Sequence, residues 1–202
     1  MAYHHGDLPA ALLAAVREAI TDNGGSGVSL RDVARRAGVS HSAPAHHFGS
    51  KAGLLMAFAA EGFRLLAQAM RSEVAGQGAA DAVAQVAAVG QAYVRFAVSH
   101  PAHFEVMFGP DALIPGDREL TAARKAVYDL LTESIGRARQ AGRLPVHSPE
   151  LVAISAWSLV HGLAALLING RIPVSADQHD PQQIAVAVTS LFTQALMPPP
   201  PG

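Results

Sequence analysis

Arginine, lysine, histidine and serine crowd into one stretch of the chain, VSLRDVARRAGVSHSAPAHHFGSKAGLL from Val28 to Leu55. Ser29, Arg31, Ser40, His41, Ser42, His46, His47 and Lys51 are small polar or cationic groups of the kind that meet base edges and phosphate oxygens. A second set lies further on. Tyr93, Phe96, His103, Phe104, Met107, Phe108, Trp157 and His161 combine apolar bulk with a few polar tips. That is the chemistry of a pocket for a small apolar or amphipathic ligand, with His161 as its polar anchor. The same side chains also fit a packed core in which His161 is merely hydrogen-bonded. His100, His103, Glu105 and His161 hold the imidazoles and carboxylate of a divalent-metal site or of a helical enzyme. Only His100 and His103 have helical ligand spacing, however, and His100 competes as a helix cap. We therefore expect no metal, no cofactor and no catalytic residue.

The first set needs two short helices and a tight turn to present it. Leu30, Val33 and Ala34 share one helical face while Arg31, Asp32, Arg35 and Arg36 lie off it. Ser29 is the expected N-cap, and Gly38 stands where a turn tolerates positive φ. Ser40 is expected to cap a second helix ending near His47, with His41, Ser42 and His46 facing outward. Pro44 falls in or just beyond its first turn and removes a backbone donor there. Phe48 closes the unit as an apolar anchor. Ser50 then caps a third helix, whose first N–H groups with Lys51 beside them suit a phosphate. Two helices around Ala37-Gly38-Val39 make a helix-turn-helix.

At these residues the chain resembles the tetracycline-repressor (TetR) family of transcriptional regulators. The resemblance is carried by Val28-Ser29-Leu30-Arg31-Asp32-Val33-Ala34, by Ala37-Gly38-Val39-Ser40, and by His47-Phe48-Gly49-Ser50-Lys51 followed by Leu54-Leu55. It implies an all-α fold with an N-terminal DNA-binding domain, a divergent helical ligand-binding domain and a homodimer. The implied partners are a double-stranded DNA operator and a small-molecule effector. The implied function is that of a cytoplasmic repressor, released from a palindromic operator by its ligand. Ala45 departs from the family, which commonly has a phosphate-contacting tyrosine there, and Pro44 stands where a helix former is usual. Trp157-Ser158-Leu159-Val160-His161-Gly162 resembles the tryptophan–histidine–glycine signature of one branch of C-terminal domains. The segment His100 to Phe108 resembles its upstream companion.

The rest of the chain must supply rigid helices. Of its 202 residues 50% are hydrophobic and only 15% charged, enough to bury a sizeable core. Cysteine is absent, which excludes disulfides and thiolate chemistry and suits a reducing compartment. The net charge of -1 argues against a broadly basic coat. Even so, residues 1–55 hold five Lys/Arg against four acids, and five of the ten histidines. Periodicity predicts a helix over Leu8–Asn23 with Leu8, Leu12, Ala15, Val16, Ala19 and Ile20 buried and Asp7 as its cap. Further helices are expected over Lys51–Ala75, Ala79–Ser99, His100–Gly109, Asp117–Ala141, Ser148–Asn169 and Asp180–Met197. Leu120, Val127, Leu130, Leu131 and Ile135 should face inward on the fourth of these. Met1–Asp7 reads as a short arm bearing His4 and His5, and Pro110–Gly116 as a loop. Residues 1–55 form the expected DNA-binding domain, 56–197 the ligand-binding and dimerisation domain, and 198–202 a tail. Leu151 to Gly170 is apolar for about the ~20 residues of a membrane span. It nevertheless carries Ser155, Ser158, His161 and Asn169 without basic flanks, so burial between the core and a second subunit is expected instead, with no membrane partner. No glycine-rich phosphate loop after a strand and no serine elbow is present, which leaves an enzyme without its usual motifs.

Overall fold

The computed structural model describes residues 8–77, 81–109, 116–144, 148–172 and 180–197, apart from the side chain of Ser26. The expected arm with Asp7, the loop between residues 110 and 115, and the 198–202 tail lie outside them. Among the described residues the protein is all-α, with no strand. The helices are α1 Leu8–Asn23, α2 Leu30–Ala37, α3 Ala43–Phe48, α4 Lys51–Gly76, α5 Ala82–Ser99, α6 Pro101–Met107, α7 Arg118–Gln140, α8 Pro149–Ile168 and α9 Pro181–Leu196, with a 3-10 turn at Gly25–Gly27. By packing they form two compact units, Met1–Phe63 with Pro101–Ala123, and Arg64–His100 with Arg124–Gly202.

The helix ends follow from local chemistry. Asp81 accepts from the Ala84 N–H at 2.9 Å and starts α5. Asp117 accepts from Leu120 N–H at 2.8 Å ahead of α7, and Asp180 precedes Pro181 at the start of α9. Proline in a first helical turn loses no intrahelical bond, which is why α6, α8 and α9 all open on one. Ser148 stands at the cap position of α8, where its hydroxyl donates to the Glu150 carboxylate and accepts no bond from the helix backbone. Gly142, at φ 71, reverses the chain after α7.

In the first unit α1 packs on α2, α2 on α3, and α6 on α1 and the 3-10 turn. Its core is Leu12, Val16, Val33, Leu54 and Phe58. Leu13 is buried where Leu8 is only half-buried, so the inward stripe of α1 is rotated slightly from its expected position. In the second unit α5 is central and packs against both α8 and α9, which also touch each other. On α7, Val127, Leu131 and Ile135 are buried, whereas Leu130 is only half-buried and does not belong to the inner face. α9 packs inward through small side chains, Ala185, Thr189 and Thr193. That leaves its larger apolar residues outside: Leu191 is 66% exposed. On α8, Leu151 and Ile154 are exposed in the same way. This helix is long and apolar enough to cross a membrane by length and composition, but one side of it is buried within the second unit.

Candidate functional site

The head of the first unit is built by caps. Ser29 Oγ accepts from the Asp32 N–H at 3.2 Å, worth about 1 kcal/mol to a helix as short as α2. At its other end Gly38 adopts φ 67, ψ 31, and the Val39 N–H reaches back to the Ala34 carbonyl at 3.0 Å. That reversal turns the chain sharply towards α3. Asp32 is clamped by Arg36 and Arg35, which hold its carboxyl below the usual range, first through the Arg36 hydrogen bond. Arg36 also reaches Asp22 of α1 at 2.7 Å, so its guanidinium ties α1 to α2. This clasp is legible in the sequence only as charges off the apolar face.

The second helix of the pair, α3, begins later than its sequence suggests. Ser40 is not its cap: α3 starts at Ala43, after a turn closed by the Ala43 N–H on the Ser40 carbonyl at 3.0 Å. Ser42 occupies the cap position without a side-chain bond. The reason is Pro44, which sits in the first turn, where a missing N–H costs nothing, and whose ring is buried. His41 and Ser42 are thus on the turn, while His46 and His47 are on the helix, and all four are exposed or half-buried, as are Ser29, Arg31, Ser40 and Ala45. Lys51 is half-buried at the start of α4. There Ser50 Oγ accepts from the Gly53 N–H at 3.0 Å, as its N-cap role requires. Gly53 itself escaped the sequence reading. A Cβ at that position would lie 2.0 Å from the Phe48 carbonyl oxygen, so any other residue must force the α3–α4 corner to shift.

The residues of the second set do not come together as one pocket. His103, Phe104 and Met107 are buried in the first unit. His103 donates to Glu61 at 3.0 Å and stacks on Phe58 at 4.0 Å, and Phe104 meets Phe108 at 5.0 Å. Glu105 Oε1 accepts from the Gly25 N–H at 2.7 Å, pinning α6 to the 3-10 turn. In the second unit His100 Nδ1 donates to the Phe96 carbonyl at 3.2 Å, the capping role that competed with metal binding. His100, His103, Glu105 and His161 are therefore engaged separately. No group of three potential ligands for a metal occurs among the described residues.

Tyr93 and Trp157 do line a cavity. It lies in the second unit between α4, α5, α7, α8 and α9, and measures about 30 Å³. Met70, Val86, Val89, Val127, Leu131 and Phe192 are among the residues of its apolar wall, with Thr189 and Thr193 on the α9 side. The sequence hides these because each is an ordinary core position of its own helix. Gly90 brings α5 close to its neighbours: a Cβ there would meet Thr189 Cγ2 at 3.0 Å and Val160 Cγ1 at 3.1 Å. His161 is not in the wall but behind it, with Nδ1 at 2.8 Å from the Tyr93 hydroxyl. Burial pushes the Tyr93 phenol well above its ordinary range, opposed only in part by its hydrogen bond with Trp157. Burial also lowers the His161 pKa from 6.5. Burial thus disfavours the charged form of both groups, and the phenol and Nδ1 share one hydrogen bond whose direction follows the imidazole tautomer. Phe96 faces elsewhere, onto an open groove of about 390 Å³ with Leu65, Glu73, Arg95 and His100.

Comparison with known proteins accords with this geometry. Residues 12–58 match the family described as bacterial regulatory proteins, tetR family. Residues 86–189 match that described as tetracyclin repressor-like, C-terminal domain. No curated protein matches the chain. Among solved structures, a protein with unknown function from Rhodococcus sp. RHA1 is 32% identical, with a TM-score of 0.82 over 97% of this chain and 98% of that one. The TetR family transcriptional regulator PfmR from Thermus thermophilus is 21% identical, with a TM-score of 0.71 over 91% and 97%. The transcriptional regulator FadR from Bacillus subtilis, in complex with stearoyl-CoA, is 14% identical, with a TM-score of 0.73 over 91% and 97%. With matches covering both the helix-turn-helix and most of the helical body, the chain belongs to the tetracycline-repressor family of bacterial transcriptional regulators.

Proposed function

We propose that this protein is a homodimeric repressor that holds a palindromic operator until a small molecule enters its body. The observation that carries this reading is the capped helix-turn-helix with Arg31, His41, Ser42, His46 and His47 presented on one head. Residues 1–55 are the DNA-binding domain and 56–197 the ligand-binding and dimerisation domain. Arg31 and the segment Ser40 to His47 read the major groove, while Ser29, His47 and Lys51 hold the phosphates that set register. One head covers one half-site, so two heads about 34–36 Å apart are needed for tight binding.

The second copy covers apolar residues that α8 and α9 leave exposed, among them Ile154 at 56% and Leu191 at 66%. That occupant also accounts for an apolar α8 without a membrane, in a cytoplasmic protein. The effector site is the cavity bearing Tyr93 and Trp157; the stearoyl-CoA bound to FadR supports a small-molecule effector of some kind. We further assign the body to the branch with the tryptophan–histidine–glycine signature, supported by Trp157 and His161 both bonding Tyr93.

The test is selection of binding sites from a random duplex library, followed by mobility shift on the enriched sequence. A palindromic or nearly palindromic site bound by a dimer is expected. Failure to enrich any sequence, or binding by a monomer to an undivided site, would exclude the reading.

A further inference from the structure

We infer that the cavity between α4, α5, α7, α8 and α9 takes an uncharged, hydrocarbon-rich molecule and rejects ions of either sign. The inference rests on the reading of that cavity as the effector site. No Asp, Glu, Lys, Arg or His lines it among the described residues. The hydroxyls that do face it are already hydrogen-bonded within the protein. Thr189 Oγ1 donates to the Ala185 carbonyl at 2.8 Å and accepts from Gln91 Nε2 at 3.2 Å. Thr193 Oγ1 donates to the Thr189 carbonyl at 3.0 Å. The Tyr93 hydroxyl is hydrogen-bonded to His161 Nδ1 at 2.8 Å and to Trp157. A carboxylate would lose its hydration here without a counter-charge, and an ammonium would meet hydroxyl lone pairs at most and no carboxylate. Aliphatic and aromatic carbon, by contrast, meets Val86, Val89, Val127, Leu131 and the Met70 side chain.

The size of the cavity adds a condition. At about 30 Å³ it has room for little more than a water molecule or two, so a ligand must widen it. The walls able to give are the unbranched Met70 and the half-buried Leu159 and Phe192. Trp157 is the sole tryptophan of the chain, so its fluorescence reports on this cavity directly.

Three probes of equal chain length separate the possibilities: 1-octanol, octanoate and octylammonium, each titrated at pH 7.5 while Trp157 emission and the thermal midpoint are followed. Octanol should bind at least tenfold more tightly than either ion. Octanoate or octylammonium binding as tightly as octanol, with the same change at Trp157, would overturn the inference and leave the effector cavity standing. If none of the three moved Trp157 emission or the midpoint, the effector reading would itself fall, and the inference with it. Location is checked by Gly90→Ala, expected to weaken octanol binding by crowding Thr189 and Val160. Because that variant can misfold, Val160→Ala is its complement: it enlarges the cavity and should tighten octanol binding. An unchanged octanol affinity in Val160→Ala would place the probe elsewhere and overturn the inference.

Discussion

A single methyl group at Gly53 tests how the head is held. Because the atom that its Cβ would strike is the backbone oxygen of Phe48, at 2.0 Å, no side-chain rotation relieves the clash and the α3–α4 corner must open. Gly53→Ala should cost about 1–3 kcal/mol by thermal unfolding and weaken binding to the selected operator. Gly136→Ala is the control, since a Cβ there meets nothing within 4 Å on α7 and should be neutral or slightly stabilising. Lys51→Ala should weaken all duplexes similarly and lower the slope of log affinity against log salt by about 0.9, measured by titration at several salt concentrations. His41→Ala should instead alter which half-site is preferred. At His161 the sign of a pH effect is set by its depressed folded-state pKa. The unfolded chain binds the proton more readily, so the neutral ring's contribution is complete above the ordinary 6.5 and is lost as pH falls towards the lowered value. Denaturant unfolding between pH 7.5 and 5.5 should show stability declining in wild type, and less steeply in His161→Gln.

Among the elements, α6 is the one whose role its length conceals. It lies in sequence between α5 and α7, yet it packs with the head through Glu105 on the Gly25 N–H and His103 on Glu61. Gly62 permits this closeness, for a Cβ there would stand 2.6 Å from Met107 Sδ and 3.2 Å from His103 Cβ. Glu105→Ala removes one charge-assisted acceptor at an exposed site and should cost about 0.5–1.5 kcal/mol. Glu105→Gln, which keeps a carbonyl acceptor, should recover part of that. Hydrogen exchange of the Gly25 amide is the direct measurement: protection should drop in Glu105→Ala and persist in Glu105→Gln. Equal protection in all three proteins would mean the contact holds nothing in place.

For the whole molecule the decisive quantity is association. Leu191→Glu or Ile154→Glu puts a charge where an apolar face would be covered by a second copy, and light scattering should show monomers with operator affinity lost together with the dimer. Leu159, although on the same helix as Ile154, is unsuited to this test because it lines the cavity. An effector acts by preferring the conformation that does not fit DNA. A tenfold release corresponds to about 1.4 kcal/mol of coupling, and operator DNA must then weaken ligand binding by the same factor. Ligand titrations with and without the selected operator measure both sides of that equality.

The sequence by itself determined the elements and the family. Caps, prolines and 3.6-residue periodicity act over a few residues, so α1, the turn at Gly38 and the proline-led starts of α6, α8 and α9 could be read directly. The start of α3 departs from Ser40 because a serine two residues further on is equally eligible, and the buried ring of Pro44 settles the helix at Ala43. Tertiary structure alone decided which distant side chains meet. Tyr93, Phe96, Phe104, Met107 and Trp157 look alike in composition, but which helix faces which is a property of packing between segments far apart in the chain. Packing put Tyr93 and Trp157 on a cavity, His161 behind it, and His103, Phe104 and Met107 in the core of the head unit. It also decided the glycines, since whether Gly53 or Gly62 is replaceable depends on an atom of another turn or helix standing where the Cβ would be.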